Sequence, residues 1–253
     1  MWLSTKAVLA AAIEMENGLA DRKVKVSVVI PTYQEGKYIA DLLSRLAIVN
    51  DPMEIIVVDG GSTDETIKVA QQFTDKVYQI DHRGIARARN CGARLSSGEI
   101  IVFLDADVVP PPDFVERTVT AFRDTGAVGA TCNIMPSGPR IPELVFFTFY
   151  NRLIRSLARL KPHSRGEFLA LRRTPFLRVG GFDEDLACIE DHDLAFRVSK
   201  LGRFIFISDL TVHESMRRIR KMGLANVLRT WIVNYVTFVL CGKTVSTVWK
   251  PIR

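Results

Sequence analysis

Two aspartates separated by one residue, Asp105 and Asp107, follow five consecutive apolar residues, IIVFL at 100–104. A run this short reads as a strand buried on both faces, which leaves the two carboxylates where the strand ends. In open α/β sheets, ligands sit in the crevice outside the carboxyl ends of the strands. Hard carboxylate oxygens there suit Mg²⁺ or Mn²⁺; as plain turn residues ahead of Pro110, Pro111 and Pro112 they would need no metal. Acids recur at three comparable places: Glu35, Asp59, and the pair Glu190 and Asp191. Seen alone, the last pair would also read as an acidic first turn of a helix, complementing its dipole.

The elements that must hold these residues alternate. Residues 24–31 (VKVSVVIP) read as a first strand, followed by the loop TYQEG and a helix over 37–47 with Ile39, Leu42, Leu43 and Leu46 on one side. Residues 54–58 form a second strand that ends at Asp59, with Ser62 or Thr63 as N-cap of a helix through Gln72. A short strand at 77–80, a helix at 84–95, the 100–104 strand, a helix at 113–123 and a strand at 127–133 complete a doubly wound pattern of parallel strands. Beyond Pro142 come a helix at 144–160 with an aromatic start, a strand at 166–171, a turn at 180–184, a helix at 190–201 and an edge strand at 205–208.

Composition bounds the partners. The 253 residues are 47% hydrophobic and 25% charged, a soluble globular balance, and long enough for one large α/β domain or for one domain with an appendage. Four scattered cysteines suggest neither a zinc motif nor a disulfide scaffold, so a reducing cytoplasm is the expected compartment. The net charge is +6, yet residues 215–253 hold eight Arg or Lys and no acid. Residues 152–178 hold eight more against Glu167 alone. Such patches fit phosphates or an acidic membrane surface. Residues 1–23 make a poor signal peptide and read as an extension. Residues 231–249 fall short of an uninterrupted spanning helix; they suit a helix in the membrane interface or one docked on the protein.

Five segments carry a family resemblance: VSVVIPTYQE (26–35), IIVVDGGSTDET (55–66), ARNCGARLSSGEIIVFLDAD (88–107), GGFDED (180–185) and EDHDLAFRV (190–198). In order and spacing they resemble the family 2 inverting glycosyltransferases with the GT-A fold, over residues 24–215. The resemblance implies an α/β domain with a Rossmann-like, mostly parallel sheet. Residues 24–133 would be its nucleotide-sugar half and 134–215 its acceptor half, followed by a basic, amphipathic segment at 216–253. It implies metal-dependent transfer from a UDP- or GDP-sugar to an acceptor hydroxyl by single displacement, with Mg²⁺ or Mn²⁺.

Residue by residue, Pro31, Tyr33, Glu35 and Asp59 match positions around the nucleoside, with Asp59 accepting from a base N–H. Arg89 matches an arginine near the nucleotide, a salt bridge to a neighbouring acid being its other reading. Asp107 matches the ligand of the cation on the diphosphate, and Asp105 the ribose or the same metal. His213 matches a histidine near the metal, or is an ordinary partly buried one. Asp191 matches the catalytic base. Glu190 would raise its pKa by repulsion or orient the acceptor, against the opposite pull of a helix N-terminus. Gly181, Phe182 and Glu190 fall on the acceptor side. The QxxRW signature of processive synthases is not evident, which favours single addition to a lipid-linked or glycan acceptor, peripheral to an anionic membrane on its cytoplasmic face. The alternatives are a non-catalytic nucleotide-sugar-binding or membrane-surface scaffold of the same fold and, behind it, a nucleotidyltransferase. The glycine-rich phosphate loop of the latter is missing after the first strand, and no module for nucleic acid is present.

Overall fold

The computed structural model describes residues 25–81, 84–158, 162–241 and 244–245; the expected N-terminal extension and Trp249 lie outside them. Eight strands form one sheet in the order β3-β2-β1-β4-β7-β6-β8-β5. They are β1 (Val26–Thr32), β2 (Met53–Asp59), β3 (Val77–Gln79), β4 (Ile100–Leu104), β5 (Val108–Val109), β6 (Gly129–Pro136), β7 (Phe168–Arg172) and β8 (Phe204–Glu214). Strands β1 and β4 are buried along their whole length, which is why they read as unbroken apolar runs rather than alternating ones. Helices cover both faces. On one lie α1 (Ile39–Ala47), α2 (Thr66–Ala70), α4 (Phe114–Thr125) and α5 (Ile141–Leu157), around Val28, Ile30, Val102 and Leu104. On the other lie α3 (Ile85–Leu95), α6 (Arg173–Arg178) and α7 (Glu190–Ser199), around Val29, Val58, Ile101 and Phe103.

Three features depart from the pattern expected from the sequence. Strand β7 runs antiparallel to both β4 and β6. It returns along β4 from that strand's carboxyl end, pairing Phe168 with Leu104. The expected edge strand at 205–208 is part of the longer, eleven-residue β8, which pairs with β6 and is covered by the two-residue β5 only at His213 and Glu214. Its register against β6 slips between Cys132 and Asn133, where Asn133 donates to the Ser208 carbonyl at 2.8 Å. Helix α2 begins at Thr66, later than the expected cap, because Ser62 and Thr63 bond to other parts of the site loops.

The chain after residue 215 continues into the same core. Helices α8 (Arg217–Met222) and α9 (Leu224–Cys241) are separated by Gly223, whose φ of +82° suits a residue without a Cβ. Helix α9 starts seven residues before the expected Trp231. Val227 and Asn234 are buried, and Trp231 packs against Phe146 and Tyr150 of α5. By length and composition α9 is long and apolar enough to cross a membrane, yet this face is docked on the domain.

Candidate functional site

A cavity of about 580 Å³ opens at the carboxyl ends of the parallel strands. Its floor holds Asp105 and Asp107 after β4, Pro31, Thr32, Tyr33 and Glu35 at the end of β1, and Gly60 after β2. Glu214 and Ser215 arrive from β8, and Glu167 from the start of β7. Residues 184–187, leading into α7, form one wall; Arg217, Arg218, Ile219, Val227 and Trp231 of the two last helices form another.

Glu35 and Asp107 are joined by one guanidinium. Arg217 donates from both terminal nitrogens to Glu35, each at 2.7 Å, and its Nε lies 3.0 Å from Asp107 Oδ2. The same guanidinium lies over the Tyr38 ring, 4.4 Å from the centroid. The main chain before Glu35 is strained: Gln34 has φ of +58°. It is fixed by bonds to Ser62, Thr63 and, through the amide of Glu35, Thr66. Only one other non-glycine among the described residues has positive φ, Ile189 at +69°, directly before Glu190 and Asp191. Strain of this kind persists where surrounding contacts over-determine it.

Behind the floor runs a buried ion-pair chain. Arg89 is 1% exposed and donates to Asp105 at 2.8 Å, to Glu190 at 2.9 Å and to the Gly166 carbonyl at 2.9 Å. Burial pushes Asp105 up to about 7, Arg89 opposing and Asp107 reinforcing the shift. Asp107 is raised for the same first cause, with Arg217 opposing. Asp191 is pushed up to about 6 by burial, against Arg89 and with Glu167. Its Oδ1 accepts from the His192 amide at 2.9 Å. A Cβ added at Gly166 would stand 3.1 Å from Arg89 and 3.8 Å from Asp191, so glycine allows these two groups to close around the loop.

A second cluster joins from the other side. Arg165 is 3% exposed, donates to Glu167 at 3.1 Å and lies 3.7 Å from Glu214. Arg165 holds Glu167 ionised, down to about 2, despite its burial. Burial, reinforced by that charge, pushes Glu214 well up.

Several expected residues stand elsewhere. His213 is exposed and faces away from the cavity, beside Val109 and Pro110; the neighbour on the site face is Glu214. Asp59 is fully buried behind Gly60, and its oxygens accept from Thr32, Gly61 and Ser62. It therefore shapes the loop rather than presenting a free acceptor. Arg89 is the buried salt bridge, not a cavity residue. Phe182 is 3% exposed and packs on Phe103 and Phe176. Gly181, at φ +75°, leaves no room for a Cβ beside Asn90, whose side chain pins the Phe182 main chain in both directions. Glu190 is committed to Arg89. These three support the site from beneath, and the residues that face the cavity are Glu184, Asp185, Leu186 and Ala187. Asp191 is nine-tenths buried and stands behind the lining. Sequence reading missed Glu167, Arg165 and Glu214; period-two alternation along β8 shows only that one of His213 and Glu214 can face inward.

The donor set fits a divalent cation in a particular way. Among the described residues, no group of three or more His, Cys, Asp or Glu converges on one metal position. Asp105 and Asp107 supply carboxylate oxygen at the cavity floor, and Mg²⁺ characteristically takes one or two carboxylates and completes its shell with phosphate and water.

A mixed sheet with an acid-lined crevice at its carboxyl ends and a helix-borne acid pair beside it defines a GT-A nucleotide-sugar fold. Residues 27–180 match glycosyl transferase family 2, and the chain belongs to that family. It is 30% identical over 178 residues to a glucosyl-dolichyl phosphate glucuronosyltransferase from Haloferax volcanii, covering 63% of this chain and 56% of that protein. It is also 30% identical over 138 residues to a dolichol-phosphate mannosyltransferase from Pyrococcus furiosus, covering 52% and 38%. A solved mannosyltransferase from Pyrobaculum calidifontis, in complex with GDP-Man and Mn²⁺, superposes with a TM-score of 0.67 at 25% identity, covering 88% and 71%. The matched region thus spans just over half of the first curated relative and less of the second.

Proposed function

We propose that this chain transfers a sugar from a UDP- or GDP-sugar to an acceptor by single displacement with inversion. The observation that carries the reading is the cavity itself, where Asp105 and Asp107 face residues leading into the Asp191 helix. Asp105 and Asp107 would hold a divalent cation, which when bound offsets charge gathering on the departing diphosphate. Tyr33, Pro31 and Gly60 line the end of the cavity suited to the base. Asp191 takes the proton of the attacking hydroxyl, and burial gives it the raised basicity that the task needs. Arg89 fixes the distance between the cation-binding and base halves by holding Asp105 and Glu190 at once.

The acceptor we assign is lipid-linked. Two relatives carry dolichol or dolichyl phosphate in their names, and beyond Arg217 and Arg218 the wall made by the helices that follow β8 turns apolar, with Ile219, Val227 and Trp231. Trp231 connects that wall to α5, and both helices expose apolar stripes at helical spacing. On α5 these are Ile141, Val145 and Phe149; on α9, Ile232, Val236 and Leu240. Exposed Arg152, Arg155 and Arg229 flank them. This combination suits two helices resting in an anionic lipid interface, peripheral to the cytoplasmic face of the membrane.

Thermal-shift measurement with UDP- and GDP-sugars, with and without Mn²⁺ or Mg²⁺, tests the donor reading, because a ligand that binds only the folded state raises its melting temperature. A metal-dependent shift with one nucleotide is expected. No shift with any donor of either class would remove it.

A further inference from the structure

Arg217 already occupies Asp107, one of the two carboxylates that would hold a cation. One guanidinium satisfies both Glu35 oxygens at 2.7 Å and reaches Asp107 Oδ2 at 3.0 Å. These carboxylates belong to two different strand ends, β1 and β4, and Arg217 is what bridges them. Its seat is defined from several sides. The Ser215 amide donates to the Asp107 carbonyl at 3.2 Å, which ties the root of α8 to the floor. Tyr38 supports the plane of the guanidinium from below. The side chain is 19% exposed, so the arrangement is largely desolvated and faces the cavity.

A divalent cation and the Arg217 guanidinium cannot share Asp107 Oδ2 without repulsion, since both carry positive charge. A guanidinium released from carboxylates has an equivalent partner in a diphosphate, since both present oxygen pairs that match its fork. We propose that Arg217 is an internal stand-in for the cation and a diphosphate clamp, moving from Asp107 to the diphosphate when nucleotide and metal enter together. The cation alone then binds poorly, because it must evict Arg217 with nothing to receive it. Nucleoside diphosphate supplies that receiver, so each ligand strengthens the other. The exchange keeps the site from holding bare metal, and it couples the last two helices, which carry the apolar wall, to donor occupancy. The inference rests on the donor reading above for its second half only.

The test is Mn²⁺ binding to the full chain, followed by the paramagnetic resonance signal of free Mn²⁺, with and without UDP or GDP. For Arg217→Gln, affinity for Mn²⁺ alone should rise about tenfold, within the usual range of site-to-site coupling. Affinity for the nucleoside diphosphate at saturating Mn²⁺ should fall about tenfold. Opposite signs separate this role from mere support of the fold, which would weaken both. Arg217→Lys serves if the glutamine variant does not fold. A lysine cannot span Glu35 and Asp107 together, so Mn²⁺ affinity should still rise, by less. Mn²⁺ binding that is unchanged or weaker in the substituted protein overturns the stand-in role, and unchanged nucleotide affinity overturns the clamp. Should the unaltered chain bind neither nucleotide even with Mn²⁺, the donor reading fails, and the clamp with it. The comparison with Mn²⁺ alone still decides whether Arg217 sits in the cation's place.

Discussion

At the scale of single residues the site is governed by burial of charge. Arg89 offsets the desolvation of Asp105 and Glu190, and replacing it would strand both acids. Burial lifts the Asp191 carboxyl to about 6 from the ordinary aspartate value of 3.8, against the pull of Arg89. A proton is therefore held more tightly folded than unfolded. Stability from this group is fully present below about pH 4 and is lost as pH rises through about 6. We expect Asp191→Asn to lower the rate of transfer by about 10²- to 10⁴-fold, the usual worth of a general base. At pH 8 the same variant should be more stable than the parent by about 2–3 kcal/mol, the energy of two pKa units. Denaturant titration at pH 8 and pH 4 checks this, since the gain should vanish at the lower pH. Transfer by the parent should fall as pH drops below about 6, and a rate flat down to pH 5 would exclude Asp191 as the base.

At the scale of elements, direction and register decide which acids meet. Because β7 reverses along β4, Glu167 enters at the same end of the sheet as Asp105. Because side chains alternate along β8, Glu214 faces the cavity and His213 does not. Helix α3, which carries Arg89, lies directly on the strands. A Cβ at Gly92 would stand 2.4 Å from one Val29 methyl carbon and 3.2 Å from a Val58 methyl carbon. Gly92→Ala should therefore destabilise the protein by about 1–3 kcal/mol through overpacking, measured by denaturant midpoint. An unchanged midpoint would mean that α3 can lift away from the sheet at no cost. Displacing α3 also displaces the Arg89 bridge, so donor affinity should fall in the same variant.

At the scale of the whole molecule, two apolar surfaces meet at Trp231. Its inner side is cavity wall, and it stacks near Phe146 and Tyr150 of α5. Tyr235, one turn on, bonds to His163 at 2.7 Å and packs against His192, next to Asp191. The last helix thus touches both the apolar wall and the base helix while exposing Ile232, Val236 and Leu240 outward. Sedimentation with phosphatidylglycerol vesicles at low salt should retain the protein, and Phe149→Glu with Leu240→Glu should release it. Equal pelleting of the double variant would show that lipid does not cover this face.

The buried strands, their polar carboxyl ends and the order of the acid motifs were legible in the sequence, because each is a local pattern: an apolar run, a turn, a loop of fixed length. The spacing of Asp105 and Asp107 needs no tertiary information to mark a strand end. Helices α1, α3, α4 and α7 were legible from apolar periodicity for the same reason. What only the folded chain decided is which side of a strand faces the cavity and which charges are shared. His213 and Glu214 are adjacent in sequence, and their roles depend on the register of β8. Arg89 joins Asp105 to Glu190, and Arg217 joins Glu35 to Asp107, across separations of 101 and 182 residues at their widest. Contacts at that range leave no local pattern, since only packing the helices onto the sheet brings the partners within reach of a hydrogen bond.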